Sequence, residues 1–94
     1  MSEVRVRGQL ICTTEEQARV VRLHLPEHIA LTRDEPGCRS FTVTATDDPM
    51  TWTVEERFDD ESAFEEHRKR VTGSEWGRVT TGIERRYSIE GHPH

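Results

Sequence analysis

Apolar side chains recur at every second residue in four stretches of this chain, and at helical spacing between them. Val4, Val6, Gly8 and Leu10 alternate with Arg5, Arg7, Gln9 and Ile11. Arg39, Phe41, Val43 and Ala45 alternate with Ser40, Thr42, Thr44 and Thr46, and Trp52, Val54, Glu56 and Phe58 follow the same rhythm. Ile83, Arg85, Tyr87 and Ile89 repeat it near the C-terminus. Successive strand side chains point to opposite faces, so each stretch predicts a strand with one face toward a core. Gly8 leaves a gap in the first of these faces, which marks a bulge or a close approach of another backbone.

The segments between predict helices. Cys12 to Gln17 is a helix start in which Thr13 with Glu16, or Thr14 with Gln17, forms a capping box. Ala18, Val21 and Leu25 line one side of this first helix, and Ile29 and Ala30 continue it. Pro26 removes a backbone donor and crowds the preceding turn, so a kink or a restart is expected there. Asp34-Glu35-Pro36-Gly37 ends the helix, with the glycine permitting a left-handed turn. Asp47-Asp48-Pro49-Met50 is a short turn that makes the second and third strands an antiparallel hairpin. Asp59-Asp60-Glu61-Ser62 supplies an acidic N-terminus for a second helix, on which Ala63, Phe64, His67 and Val71 share a side. Thr72-Gly73 breaks it, and Ser74-Glu75 caps a shorter helix carrying Trp76, Val79 and Thr80. The polar tail from Glu90 to His94 is expected to fray.

The predicted order, β-α-β-β-α-β, fits an α+β, ferredoxin-like fold: a four-stranded antiparallel sheet with its helices on one face. The opposite face would hold Arg5, Arg7, Thr42, Thr44, Thr53, Glu55 and Arg86. Such a face must stay polar or find a partner. With 94 residues, 32% hydrophobic and 33% charged, the chain has a thin core supply, and a homodimer through these faces is the expected arrangement. Residues 1 to 94 are read as one domain with its core at about 3 to 90.

A net charge of −5 with scattered basic residues gives no footprint for nucleic acid or an anionic membrane. No stretch is long and apolar enough to span a bilayer, and the N-terminus lacks the apolar run of a signal peptide, so a cytoplasmic location is expected. Cys12 and Cys38 fit no metal spacing and are read as reduced thiols. His24 and His28 are four apart, but Pro26 lies between them and no carboxylate completes a metal set. His92 and His94 are tail residues with no assigned role. The run Glu65 to Arg70 reads as a solvated helix face with pairs such as Glu65–Lys69 and Glu66–Arg70. Glu56 and His67 stand apart: two ionisable residues on otherwise apolar faces that should meet, a conflict of pattern and chemistry that points to function.

Several landmarks stand in order: Gly8-x-Leu10, Thr32-Arg33-x-Glu35-Pro36-Gly37-Cys38, Phe41-x-Val43, Asp48-Pro49, Val54-x-Glu56-x-Phe58-x-Asp60 and Ala63-Phe64-x-x-His67. Across roughly residues 3 to 90 the chain resembles the antibiotic biosynthesis monooxygenase domain family, which includes quinol monooxygenases. The resemblance implies a ferredoxin-like protomer and a dimer whose sheets form one barrel. It also implies oxidation of phenolic or quinol-type compounds by O₂ with no metal or flavin cofactor. Haem-degrading relatives carry an asparagine on the first strand, a tryptophan in the second helix and a ligating histidine further on. Here those places hold Arg5 and Arg7, His67, and a neighbourhood occupied by Trp76, which argues against haem. Polyketide-type relatives use an asparagine and a tryptophan on the second helix with an arginine on the last strand. Arg85 is similar in place to that arginine, whereas Ala63 and His67 depart from the pattern.

Oxidation of this kind needs a proton acceptor, a group to steady the resulting anion, and a dry slot. His67 is the candidate base, Glu56 the group that orients and charges its ring, and Arg85 the anion holder. Phe41, Trp52, Phe64, Trp76 and Tyr87 are the candidate walls of a flat substrate slot. Each has a plainer reading: His67 and Glu56 as a buried pair tying helix to sheet, Arg85 as a cross-strand ion pair, the aromatics as core. The functional alternatives are a non-catalytic small-molecule binding module with the same pocket and, behind it, a haem degrader.

Overall fold

The structure, a computed structural model, describes residues 3–91. Its elements are β1 (Val4–Ile11), α1 (Glu15–Arg33), β2 (Cys38–Ala45), β3 (Thr51–Phe58), α2 (Glu61–Thr72), α3 (Glu75–Val79) and β4 (Glu84–Glu90). The sheet runs β2-β3-β1-β4 with every neighbouring pair antiparallel, the ferredoxin-like arrangement expected from the element order. Tail residues 92–94, expected to fray, lie outside the described residues.

Local chemistry sets the element ends. The Thr14 hydroxyl accepts from the Gln17 N–H at 3.1 Å, and the Gln17 side chain reaches back to the Thr13 N–H at 2.8 Å. Asp60 caps α2 through Ala63, and Ser74 caps α3 through Gly77. In the hairpin, Asp48 accepts from the Met50 N–H at 2.9 Å and its carbonyl from Thr51 at 3.0 Å. Of the two outcomes expected at Pro26, the restart does not occur: helix α1 runs through the proline, which stands on the exposed side. The left-handed turn expected at Gly37 is absent, since Gly37 does not adopt a positive φ. A Cβ there would lie 2.3 Å from that of Ala63, so this glycine lets the α1–β2 turn press against α2.

Two apolar clusters hold the layers together. Leu10, Ala18, Val21, Leu25, Trp52, Val54, Trp76 and Ile83 form the larger, under α1 and α3. Val4, Val6, Phe58 and Phe64 form the smaller, under α2. A bulge between Cys38 and Ser40 shifts β2, so Cys38 rather than Arg39 shares the core face with Phe41 and Val43. The buried stripe of α1 is Ala18, Val21, Leu25, His28 and Thr32; Ile29, as expected, packs partly buried against the core, whereas Ala30 is exposed. The outer sheet face is polar, as expected: Arg7 stands opposite Glu55 on β3 and lies 3.4 Å from Glu90 on β4.

Gly8 is a close approach. A Cβ on it would fall 2.0 Å from the Arg86 carbonyl oxygen and 2.8 Å from Tyr87 Cα, both backbone atoms of β4. Gly8→Ala must push β4 away, and we expect a loss of about 1–3 kcal/mol in urea unfolding with faster amide exchange along β4. An unchanged midpoint would show that the strands tolerate the methyl group. Because β4 carries Arg85 and Tyr87, this one glycine also sets how near they stand to the rest of the site described next.

Candidate functional site

A cleft of about 360 Å³ opens where the two apolar clusters meet, between the sheet and helices α2 and α3. Val6, Phe64 and Trp76 give it apolar walls, and His28, Glu56, His67, Arg68, Arg85 and Tyr87 give it polar groups. His67 reaches it because α2 presents Phe64 and His67, three residues apart, on its buried side. The imidazole is turned inward, only 7% exposed.

Its anchor is not the one expected. Glu56 Oε1 lies 3.8 Å from His67 Nε2, beyond hydrogen-bond reach. The hydrogen-bonded carboxylate is Glu35, from the turn after α1, whose oxygens sit 3.0 and 3.1 Å from Nδ1. Glu35 also accepts from the Arg70 guanidinium, which in turn donates to Thr32 Oγ1 at 2.9 Å. Arg70 therefore belongs to a half-buried network rather than to the solvated helix face, and Glu66 pairs with Lys69 at 3.8 Å. The reason is steric: Gly37 brings the turn so close to α2 that Glu35 arrives at His67 before β3 does. An acceptor-only carboxylate shared with arginine leaves the proton on Nδ1, so Nε2 keeps its lone pair on the side of Glu56.

Burial dominates the electrostatics. It pulls the His67 pKa below its usual value, against the opposing pull of Glu35, so the ring is neutral at physiological pH. Burial, reinforced by the Glu35 charge and partly relieved by Arg85, pushes Glu56 up to about 7. Tyr87 is pushed up to about 12 by burial and by Glu56, which keeps it a neutral phenol. Arg85 lines the cleft from β4, its guanidinium held against the end of α3 by Thr80 Oγ1 at 2.7 Å and the Ile83 carbonyl at 3.0 Å.

Of the aromatic candidates, Phe64, Trp76 and Tyr87 line the cleft. Phe41 and Trp52 do not: Trp52 belongs to the larger core cluster, and Phe41 lies behind His67 with its ring centroid 6.0 Å away. The periodic pattern placed both on the inner face but could not say how deep each would lie. Sequence reasoning missed His28, Glu35, Arg68 and Arg70 as site residues. His28 was legible in principle, since residues 18, 21, 25, 28 and 32 follow the alternating three–four spacing of one helix side. No local pattern signals the other three. Among the described residues, no group of three or more His, Cys, Asp or Glu could hold a metal ion, and both cysteines are free.

No curated protein matches the chain. Among solved structures, Rv0793 from Mycobacterium tuberculosis is 21% identical with a TM-score of 0.74, covering 99% of this chain and 97% of that one. A conserved protein from Methanosarcina mazei Go1 is 20% identical with a TM-score of 0.79, covering 99% and 95%. The "Putative antibiotic biosynthesis monooxygenase from Nitrosomonas europaea" is 14% identical with a TM-score of 0.77, covering 99% and 100%. At these identities the likeness is one of fold. The sequence match is more telling: residues 5–76 fit the family of antibiotic biosynthesis monooxygenases, a span that takes in His28, Glu35, Glu56 and His67. The inward histidine and its carboxylate anchor thus sit within the matched stretch, and the chain belongs to the antibiotic biosynthesis monooxygenase family.

Proposed function

We propose that the protein is a monooxygenase that oxidises a small aromatic or quinol-type compound with O₂ and uses no bound cofactor. The observation that carries this reading is the neutral, buried His67, tied at Nδ1 by Glu35 and free at Nε2 in a cleft with aromatic walls. In this reading Nε2 takes the phenolic proton, and the electron-rich anion is the group that reacts with O₂. Arg85 and the neutral Tyr87 hydroxyl stabilise the anion, and Phe64 and Trp76 clamp the ring away from water. Glu56, whose pKa is about 7, receives or returns protons beside Nε2. For a phenol with an unsubstituted para carbon the books balance without a second reductant. One oxygen atom is inserted to give a quinone, the other leaves as water, and all four electrons come from the substrate. The polar, uncovered sheet face supports a homodimer formed through it.

The test is oxygen uptake by chelator-treated protein with 1-naphthol under ¹⁸O₂. One O₂ consumed per naphthol, with one labelled atom in 1,4-naphthoquinone, is the expected result. Dependence of the uptake on added metal would overturn the reading. A rise in thermal stability with naphthol but no oxygen uptake would favour the binding-module alternative.

A further inference from the structure

The cleft holds a second imidazole that the mechanism above does not use. His28 is only 6% exposed, on the inner side of α1. Its ring lies flat on the Trp76 indole at 4.5 Å and 5°, meets Phe41 edge-on at 5.2 Å, and stands 6.3 Å from the His67 ring. These contacts fix its orientation. Nδ1 is fully buried and has no hydrogen-bond partner among the described residues. The ring nevertheless lines the cleft, so Nε2 is the nitrogen it can offer to a guest.

We propose that His28 is a substrate-binding residue whose Nε2–H donates a hydrogen bond to a carbonyl or hydroxyl oxygen of the flat aromatic guest. Two considerations support this. A neutral imidazole carries its single proton on one nitrogen, and an orphaned buried N–H is rarer than an under-used acceptor, so the proton belongs on Nε2. Stacking on Trp76 also sets the ring edge beside the slot in which a planar guest would lie against the same aromatic walls. Burial brings the His28 pKa down to about 3, and the nearby Arg70 and Arg85 also oppose a cation there, so it remains a neutral donor at physiological pH. The two imidazoles are then complementary. His67 presents a lone pair to the guest and His28 presents a proton, which selects aromatics bearing oxygen over bare hydrocarbons.

This inference rests on the cleft being the aromatic site proposed above, but not on turnover. The test compares binding of 1,4-naphthoquinone and naphthalene, read by quenching of tryptophan fluorescence, in wild type, His28→Leu and His28→Gln. The proposal expects His28→Leu to weaken quinone binding about tenfold with naphthalene binding unchanged, and His28→Gln, which retains a donor, to recover most of the loss. Equal weakening of both ligands, or no weakening, would overturn it, as would a wild type that binds neither. Should His28→Leu fail to fold, ¹⁵N spectra of the wild-type imidazoles decide the matter. A protonated Nδ1 on His28 contradicts the proposal; a protonated Nε2 that shifts with the quinone sustains it. Quinone binding that depends on His28, in a protein that consumes no oxygen, would leave this inference standing and remove the monooxygenase reading.

Discussion

His67→Ala is expected to lower substrate-dependent oxygen consumption by about 10²–10⁴-fold, the usual contribution of a positioned general base. The fold should survive. Glu35 and Arg70 remain paired with each other when the ring is gone, so no buried charge is left alone. Far-UV circular dichroism and the unfolding transition therefore need to be followed alongside the rate. His67→Gln fills a similar volume but supplies no base, and it should be as slow as the alanine variant. Glu35→Gln separates anchoring from basicity: the ring loses its acceptor-only partner, and kcat should fall more than KM rises. Uptake equal to wild type in His67→Ala would remove His67 from the chemistry and leave the network only its architectural part, tying α2 to the end of α1.

Glu56→Gln is expected to stabilise the protein by about 3 kcal/mol at pH 8 and to have little effect at pH 4.5. The sign follows from burial. Glu56 holds its proton up to a pKa of about 7 in the folded protein against an ordinary value of 4.5. Below pH 4.5 the residue is protonated in both states and costs nothing. Between 4.5 and 7 the unfolded chain releases the proton first, so stability falls as pH rises; above 7 the deficit is constant. At about 1.4 kcal/mol per pH unit, the separation of the two values gives the stated gain. Charging of His28 and His67 at low pH destabilises both proteins alike and cancels in the difference. Urea unfolding at several pH values checks this, and a difference that does not grow between pH 4.5 and 7 would show that Glu56 is not held neutral. A carboxyl group that costs stability at physiological pH is a poor structural choice, and that makes its place beside Nε2 more readily understood as functional.

How far the sequence could be read depended on the range of the interaction. Strand alternation is local, so the four strands and the inward turn of Glu56, Phe58 and Val54 were plain from residues two apart. The helix starts were legible to within a residue or two: the structure selects Thr14 over Thr13 and Asp60 from its acidic run, and each of Thr14, Asp60 and Ser74 bonds a neighbour three positions on. His67 was found because a helix side with Phe64 on it had no chemical reason to include an imidazole. Its partner was misjudged because Glu35 is 32 positions away and its approach depends on Gly37 packing against Ala63, a contact that no periodic pattern encodes. Glycine suggested a left-handed turn, and the structure uses it for closeness instead. Arg70 was placed among solvated charges for a similar reason: spacing within α2 cannot reveal an acceptor arriving from another element. Trp52 and Phe41 show the converse limit. Their inward direction was legible, but whether an inward aromatic reaches a cleft or stops in the core depends on the depth of its neighbours.

The most direct test of this account is the protonation of the His67 ring, measured by ¹⁵N spectroscopy at pH 7 with and without 1,4-naphthoquinone. The expected result is a proton on Nδ1, bonded to Glu35, and an unprotonated Nε2 whose resonance moves when the quinone binds. A ring that is doubly protonated at pH 7, or one protonated on Nε2 and indifferent to the quinone, would contradict it.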